Sequence, residues 1–209
     1  GDFIRLPRRG AKSRPLDILE RIQIEPLLDR CIRELSSGEM RRFQIGLALS
    51  ASPRLLILDE PYEGLDQEYR AELARVINEL MDSERSVVLV SHHRSEIPLN
   101  VTHMIGVKAG RIIFQGRRER MLDAKRMDSL YASPAAPLSE LPAVVHASMR
   151  SGDTSSKVLV DLRNVTVRHR TVSVFENLTW TVRCGQHWAV SGPNGSGTKT
   201  ELCMIWWMW

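Results

Sequence analysis

The chain has 209 residues, 43% of them apolar and 26% charged, with a formal net charge of +4 and a pI near 9.2, which leaves room for one large soluble domain or two small ones. Basic and acidic residues alternate apart from clusters such as Arg117-Arg118-Glu119-Arg120, so there is no strong nucleic-acid signal. No apolar run approaches the roughly 20 residues that span a bilayer. Cys31, Cys184 and Cys203 form no CxxC pair, so neither a zinc site nor a disulfide framework is predicted and a reducing compartment is expected.

Residues 1–34 are charged and punctuated by proline, but Leu16, Leu19 and Ile22 stand at helical spacing and predict a helix over Pro15–Ile24. After Ser37, the positions Met40, Phe43 and Leu47 predict an amphipathic helix. Its first turn presents small residues and free backbone N–H groups, where an anion would be welcome. Leu55–Leu58 and Val87–Val90 are short continuous apolar runs, the pattern of strands buried on both faces of a parallel sheet. Between them Tyr69, Leu73, Val76, Ile77 and Leu80 predict a helix of about three turns, giving a right-handed strand–helix–strand crossover. Met104–Val107 and Arg111–Phe114, joined across Lys108-Ala109-Gly110, read as a hairpin.

From about Gly116 to Lys157 the apolar periodicity fades and Pro, Ala and Ser accumulate, as in Ser133-Pro134-Ala135-Ala136-Pro137, although Met121–Tyr131 retains helical character. This stretch reads as a linker. Beyond it Val158, Val160 and Leu162, then Leu178, Trp180 and Val182, alternate as antiparallel strands with one buried face do. His187–Ser191 leads directly into a glycine-rich run, Gly192-Pro193-Asn194-Gly195-Ser196-Gly197.

The chemistry concentrates where strands end. Asp59 closes the run Leu55-Leu56-Ile57-Leu58 at the edge where open α/β sheets bind ligands. There it is a candidate Mg²⁺ ligand through a water, and Glu60 a candidate to orient or deprotonate an attacking water. The alternative is an acidic pair that caps the next turn. Ser91-His92 ends the next buried run, which sets His92 on the same edge as Glu60 as a candidate γ-phosphate donor, whereas His93 has no evident task. A histidine at a strand end is otherwise structural or solvated.

Leu35-Ser36-Ser37-Gly38-Glu39, Asp59-Glu60-Pro61, Gly64-Leu65-Asp66 and Ser91-His92 resemble, in order and spacing, the signature, Walker B, D-loop and H-loop of an ATP-binding cassette (ABC) ATPase. The resemblance implies ATP and Mg²⁺ as cofactors, with Glu60 and His92 catalytic and Asp59 on the metal. It gives Ser36 and Gly38, with Ser37 and Glu39 beside them, contacts to the γ-phosphate of an ATP held by the opposite cassette, and sets Asp66 in the D-loop. Ser37 stands where the pattern usually has Gly, and Glu39 where it more often has Gln. Gly192–Gly197 is similar to the start of a Walker A loop, whose N–H groups wrap the β-phosphate. That assigns Gly192, Asn194, Gly195, Ser196 and Gly197 to nucleotide binding together with Lys199 and Thr200. The pattern requires Lys at position 198, however, and this chain has Thr198. His169 occupies the place of an aromatic that stacks on adenine, with a solvent-facing strand residue as the equal alternative. Trp180 and Trp188 read as core.

The segment Glu201-Leu202-Cys203-Met204-Ile205-Trp206-Trp207-Met208-Trp209 lacks the amphipathic helix that should follow a Walker A loop. Either the resemblance stops at Gly197, through a frameshift, a gene-model error or a truncation, or the segment is a short apolar tail packed on the sheet.

The motif order implies the end of one cassette joined to the start of a second. Residues 1–116 are the C-terminal part of the first, 117–156 the linker and 157–209 the N-terminal part of the second. The expected fold class is α/β: a P-loop NTPase-like parallel sheet with helices, plus an antiparallel β segment. On this reading Glu60 and His92 belong to a pocket whose phosphate loop lies upstream, Ser36 faces the glycine-rich run of the second cassette, and these residues alone hydrolyse little ATP. Arg94-Ser95-Glu96-Ile97-Pro98 and Gly185-Gln186-His187-Trp188 resemble two-cassette proteins tied to molybdate transport or photorepair in bacteria, with fungal relatives. The expected partners are a membrane-embedded transporter subunit and the other cassette of the same protein, in the cytoplasm or an organelle matrix and peripheral to a membrane. The alternatives are a soluble, ribosome-associated type of cassette protein, disfavoured by the proline-rich linker, and a non-catalytic truncated product.

Overall fold

The computed structural model describes residues 20–83, 85–121, 130, 145–146, 157–169 and 172–193. Most of the helix expected over Pro15–Ile24 lies outside them, but Glu20 and Arg21 are helical and Ile22 and Ile24 are buried. In chain order come α1 (Glu25–Leu28), α2 (Ser37–Ser50), β1 (Leu55–Asp59), α3 (Gln67–Met81), β2 (Ser86–Ser91), β3 (His103–Lys108), β4 (Arg111–Arg117), α4 (Arg118–Met121), β5 (Val145–His146), β6 (Val158–His169), β7 (Val172–Arg183) and β8 (His187–Ser191). No helix among the described residues is long and apolar enough to cross a membrane.

The fold is α/β. Six strands form one sheet in the order β1-β2-β8-β3-β4-β5, and β6 and β7 form a separate antiparallel pair. β1 runs parallel to β2, β2 to β8 and β8 to β3, while β4 turns back antiparallel to β3. The sheet takes strands from both sides of residue 157. β8, from the far side of it, lies between two strands of the near side.

Two apolar layers hold the sheet. Val87 and Leu89 of β2 and Leu56 and Leu58 of β1 face a core with Ile45 and Leu49 of α2 and Leu73, Val76, Ile77 and Leu80 of α3. Val88 and Val90 point the other way, onto Val160, Leu162, Leu178, Trp180 and Val182 of the β6–β7 pair. All six residues of β2 are buried, as its continuous apolar run predicts for an interior parallel strand. β1, at the sheet edge, alternates instead, with Leu55 and Ile57 only partly covered.

One expected face is corrected. Leu47 is 39% exposed, and α2 buries Phe43, Ile45, Gly46 and Leu49. A 3.6-residue period admits neighbouring faces, and the one inward here is fixed by how the first turn docks. The β3–β4 hairpin forms where its sequence predicts. Ala109 and Gly110 both have positive φ, 48° and 71°, the backbone of the tight turn that matches strand twist.

Trp188 and Trp180 are core residues, 1% exposed each, with rings 5.7 Å apart edge to face. Trp188 also stacks on His103 at 4.7 Å, and its indole N–H donates to Gln186 Oε1, which takes the Arg183 N–H as well. At the opposite corner Arg21 bridges Glu72 and Glu79 of α3, both at 2.7 Å.

Ile77 is fully buried in the α3 face, so Ile77→Ala is expected to cost about 2–5 kcal/mol, read as a lowered urea midpoint with an unchanged slope. Burial holds the His187 imidazole below its ordinary value of 6.5, against weaker upward pulls from the Met81 carbonyl and the Asp82 carboxylate. As pH falls below 6.5 the unfolded chain takes up that proton before the folded one, so stability declines from there until the lowered folded pKa is passed. Denaturation at a series of pH values should show this limb, and His187→Gln should flatten it.

Candidate functional site

The carboxyl ends of β1, β2 and β8 lie side by side, with Asp59 opposite Val90 and Ser91 opposite Ser191. At this edge the chain leaves β1 through Glu60, whose φ of 47° is in the left-handed region. A non-glycine residue there costs of order 1–3 kcal/mol and persists only where its surroundings enforce it. Here the Glu60 N–H donates to the Val90 carbonyl at 3.0 Å, and the Glu60 carbonyl accepts from Glu63 N–H at 3.1 Å. The resulting turn buries the Glu60 carboxylate, 5% exposed, beside β2.

His92 meets it. Nδ1 of His92 lies 2.8 Å from Glu60 Oε1, off the direction of a regular hydrogen bond, and the ring is a quarter exposed. His93 rests against the His92 ring at 3.9 Å between centroids, which gives this second histidine a packing task. The backbone behind His92 is tied down. Ser91 Oγ accepts from His93 N–H at 3.0 Å and donates to Glu96, and Glu96 pairs with Arg70 of α3 at 3.1 Å. Arg70 also donates to the Tyr62 carbonyl in the turn after Glu60. Tyr62 is itself buried, which pushes its phenol up to about 12. Asp59 is half-buried at the end of β1, and its carbonyl accepts from Arg41 of α2 at 3.3 Å.

The second cluster is the first turn of α2. Ser36 caps it reciprocally: Ser36 Oγ accepts from Glu39 N–H at 3.2 Å, and Glu39 Oε2 accepts from Ser36 N–H at 2.8 Å. The Ser36 backbone N–H, then its hydroxyl, then Arg30 hold the Glu39 carboxyl below its usual range. Glu39 is thereby a cap. Ser37 and Gly38, as the first two helical residues, have no intrahelical acceptor for their N–H groups. A Cβ on Gly38 would lie 2.9 Å from the Gly64 carbonyl oxygen, and Gly64 needs its φ of +75°. The helix start thus rests on the loop that ends at Asp66, whose carboxylate caps α3 by accepting from Tyr69 N–H at 3.0 Å.

Of the residues expected to bind nucleotide, Gly192 follows β8 at the edge that carries Glu60 and His92. Asn194, Gly195, Ser196, Gly197, Lys199 and Thr200 lie outside the described residues, as does the side chain of His169, whose backbone ends β6. The sequence assigns Glu60 and the glycine-rich run to different pockets, whereas β8 brings the beginning of that run beside β2.

Comparison with known proteins gives this edge its context. The family model described as "AAA domain, putative AbiEii toxin, Type IV TA system" matches residues 11–97. The ABC transporter ATP-binding protein ModF of Escherichia coli is 33% identical over 193 residues, 92% of this chain and 39% of that protein. The chain belongs to the ABC ATPases. An ABC transporter ATP-binding protein of Schizosaccharomyces pombe is 29% identical over 88% of this chain and 36% of its own length. A molybdenum import ATP-binding protein, ModC, of Hahella chejuensis is 31% identical over 71% of this chain and 40% of its own length. The chain thus spans about two fifths of the length of the relatives it matches. The solved ATP-binding cassette MJ1267 aligns with a TM-score of 0.46 at 24% identity, over 61% of this chain and 54% of that one.

Two short stretches that resemble particular ABC proteins carry structural tasks here. Glu96 anchors the loop of Ser91 and His92, and Gln186 fixes the Trp188 indole. Sequence reasoning missed Arg70, Tyr62 and the Ser36–Glu39 cap. The S-x-x-E spacing of the cap was a readable signal, whereas nothing local marks Arg70.

Removing the cap by Ser36→Ala is expected to cost about 0.5–2 kcal/mol, and Gly38→Ala about 1–3 kcal/mol by overpacking against the Gly64 backbone. Thermal denaturation of both variants checks the values, with Ser36→Thr close to the parent.

Proposed function

We propose that this chain carries the hydrolytic edge of an ABC ATPase that works as one of two paired cassettes, binds Mg²⁺-ATP and couples hydrolysis to transport through a membrane-embedded partner. The observation that carries the reading is the buried Glu60 carboxylate, held in a left-handed turn with His92 at 2.8 Å, at the carboxyl edge of parallel strands. Residues 1–116 and 157–209 are assigned to successive cassettes and 117–156 to the link between them. One continuous match to ModF, across 92% of this chain and through all of its motif-bearing stretches but the last, supports the assignment by reaching from one proposed cassette into the next. Relatives named for molybdenum import support the transport role.

The donor set fits a hard divalent cation: Asp59 presents a half-buried carboxylate at the strand end, and such ions take oxygen ligands. Asp59 would hold Mg²⁺ there, which when bound neutralises charge that develops on the phosphate oxygens. Glu60 takes a proton from the water whose oxygen attacks the γ-phosphorus. The bond from that phosphorus to the bridging oxygen breaks, leaving ADP and inorganic phosphate. His92 donates to a γ-phosphate oxygen and, in contact with Glu60, keeps the water and the phosphoryl group in line. The Ser37 and Gly38 amides at the start of α2 suit the γ-phosphate of a nucleotide held by the opposite cassette. The protein is assigned to the cytoplasmic or organelle-matrix face of a membrane, as a peripheral subunit.

In a two-cassette polypeptide that contains this chain, Glu60→Gln is expected to lower Mg²⁺-ATP hydrolysis by about 10²- to 10⁴-fold and leave ATP binding intact. Phosphate release and equilibrium binding measure the two. The 209 residues alone should turn over at background, since Thr198 stands where the loop pattern needs Lys; turnover by them that vanishes in Glu60→Gln would overturn this. Copurification with membrane components supports the transport role, and copurification with ribosomes or RNA contradicts it.

A further inference from the structure

We propose that Arg70 is a positioning residue for hydrolysis: its guanidinium fork ties the turn that carries Glu60 to the loop that carries His92, and so sets how the carboxylate and the imidazole face each other. The proposal rests on the nucleotide reading above for its reaction, but the tie itself is a property of these residues with or without a nucleotide.

The need for a tie follows from where the β1–β2 ladder ends. Asp59 and Val90 are its last paired residues, and the Glu60 N–H adds one further backbone bond, to the Val90 carbonyl at 3.0 Å. Beyond that bond the chain leaves β1 and β2 in separate loops. The 2.8 Å approach of His92 to Glu60 therefore joins a turn and a loop with no ladder between them. It lies off the direction of a regular hydrogen bond, so it does not hold itself in place.

Arg70 bridges that gap from near the start of α3. One arm of the fork, Nη2, donates to the Tyr62 carbonyl at 3.3 Å, two residues past Glu60, and the other, Nη1, pairs with Glu96 Oε1 at 3.1 Å. The second oxygen of Glu96 accepts from Ser91 Oγ, which itself accepts from the His93 N–H at 3.0 Å. The residues on either side of His92 are thus fixed through one carboxylate. Arg70 is anchored in turn, since its N–H donates to the carbonyl of Asp66, the residue that caps α3, at 3.0 Å.

Burial separates this pair from an ordinary surface ion pair, which contributes little. The Arg70 side chain is 46% exposed, but that of Glu96 only 8%. A buried carboxylate deprived of its partner moves toward water, and Ser91 would lose its acceptor as Glu96 went. The shape of the cation matters as well as its charge. A planar fork serves two loops at once, whereas an ammonium is a single point. Arg70 acts through Glu60 and His92 alone, by aligning the attacking water, and a misplacement of about 1 Å at a reacting centre costs up to about 10²-fold.

Steady-state kinetics of a two-cassette polypeptide that contains this chain, with equilibrium binding of a fluorescent ATP analogue and Mg²⁺, tests the proposal. Arg70→Ala is expected to lower kcat about 10- to 10²-fold with analogue binding unchanged. Arg70→Lys keeps the charge opposite Glu96 and should melt like the parent, yet it should show the lowered kcat because the fork is gone. A parental kcat in either variant, or a loss carried by weaker nucleotide binding, would overturn the proposal. Isotope-labelled histidine in the full 209-residue chain gives a second readout. The His92 imidazole signal, assigned by its loss in His92→Gln, should shift in both variants, while those of His103 and His187, at the starts of β3 and β8, should not. A His92 signal that does not move, or all three moving together as in general loosening, counts against the proposal. If Arg70→Ala fails to fold, Arg70→Lys and the isosteric Glu96→Gln decide by the same two readouts. A parent polypeptide that hydrolyses no ATP would sink the nucleotide reading and leave the imidazole shifts to decide the tie.

Discussion

β2 is the strand on which everything else hangs, because all four of its sides are taken. One edge bonds β1, the other bonds β8, one face packs on the helices and the other on the β6–β7 pair. Val87, Val88, Leu89 and Val90 are fully buried. A parallel strand in this position has no solvent to satisfy its backbone, so each neighbour is needed for the ladder to close. Because parallel strands run the same way, closing the ladder also brings their carboxyl ends to one edge. The placement of Asp59, His92 and Gly192 is thus a by-product of burying Val87–Val90.

At that edge the stability gained in the core is partly given up. Glu60 is a buried carboxylate in a left-handed backbone conformation, two features that each oppose folding. The opposition is met locally. The Glu60 backbone bonds Val90 and Glu63, Arg70 joins the following turn to Glu96, and Glu96 holds Ser91. Arg70 therefore couples the turn after β1 to the loop after β2, so the two groups that meet at 2.8 Å are positioned by one helix. A shift of α3 would move both loops together. On the signature side the same economy recurs, since Gly38 packs on the Gly64 backbone and any tilt of α2 is felt by the loop that leads to α3.

What the sequence made legible follows from the range of the interactions. Continuous apolar runs mark buried parallel strands because burial on both faces leaves no polar position, and β2 reads correctly for that reason. The β3–β4 turn is local chemistry, and so is the helix of Leu73, Val76, Ile77 and Leu80. The inward face of α2 was not legible: Phe43 is buried but Leu47 is exposed, since docking of the capped first turn against Gly64 decides the rotation. The candidate carboxylate and histidine were legible as strand ends, and the structure brings them into contact. Arg70 and Glu96 were not, because their pairing spans 26 residues and leaves no periodic trace. Least legible was the slot of β8, whose partner Ser91 lies 100 residues earlier; pairing at that distance has no local signature, and its loop-closure cost grows only slowly with length.

The position of β8 is nonetheless chemically ordinary, and that bears on how a two-cassette chain behaves. A parallel strand is accepted by its slot for its direction, its two apolar faces and its end clamps. None of these depends on which connection leads into it. Ala189 toward the helices, Trp188 and Val190 toward the β6–β7 pair, and serines at the carboxyl end meet all three conditions. In a protein with two cassettes, two strands of equivalent design compete for each such slot, and exchange of identical elements is a low-cost rearrangement. Selection between them then falls to the connection, because a tether sets the effective concentration of each competing strand.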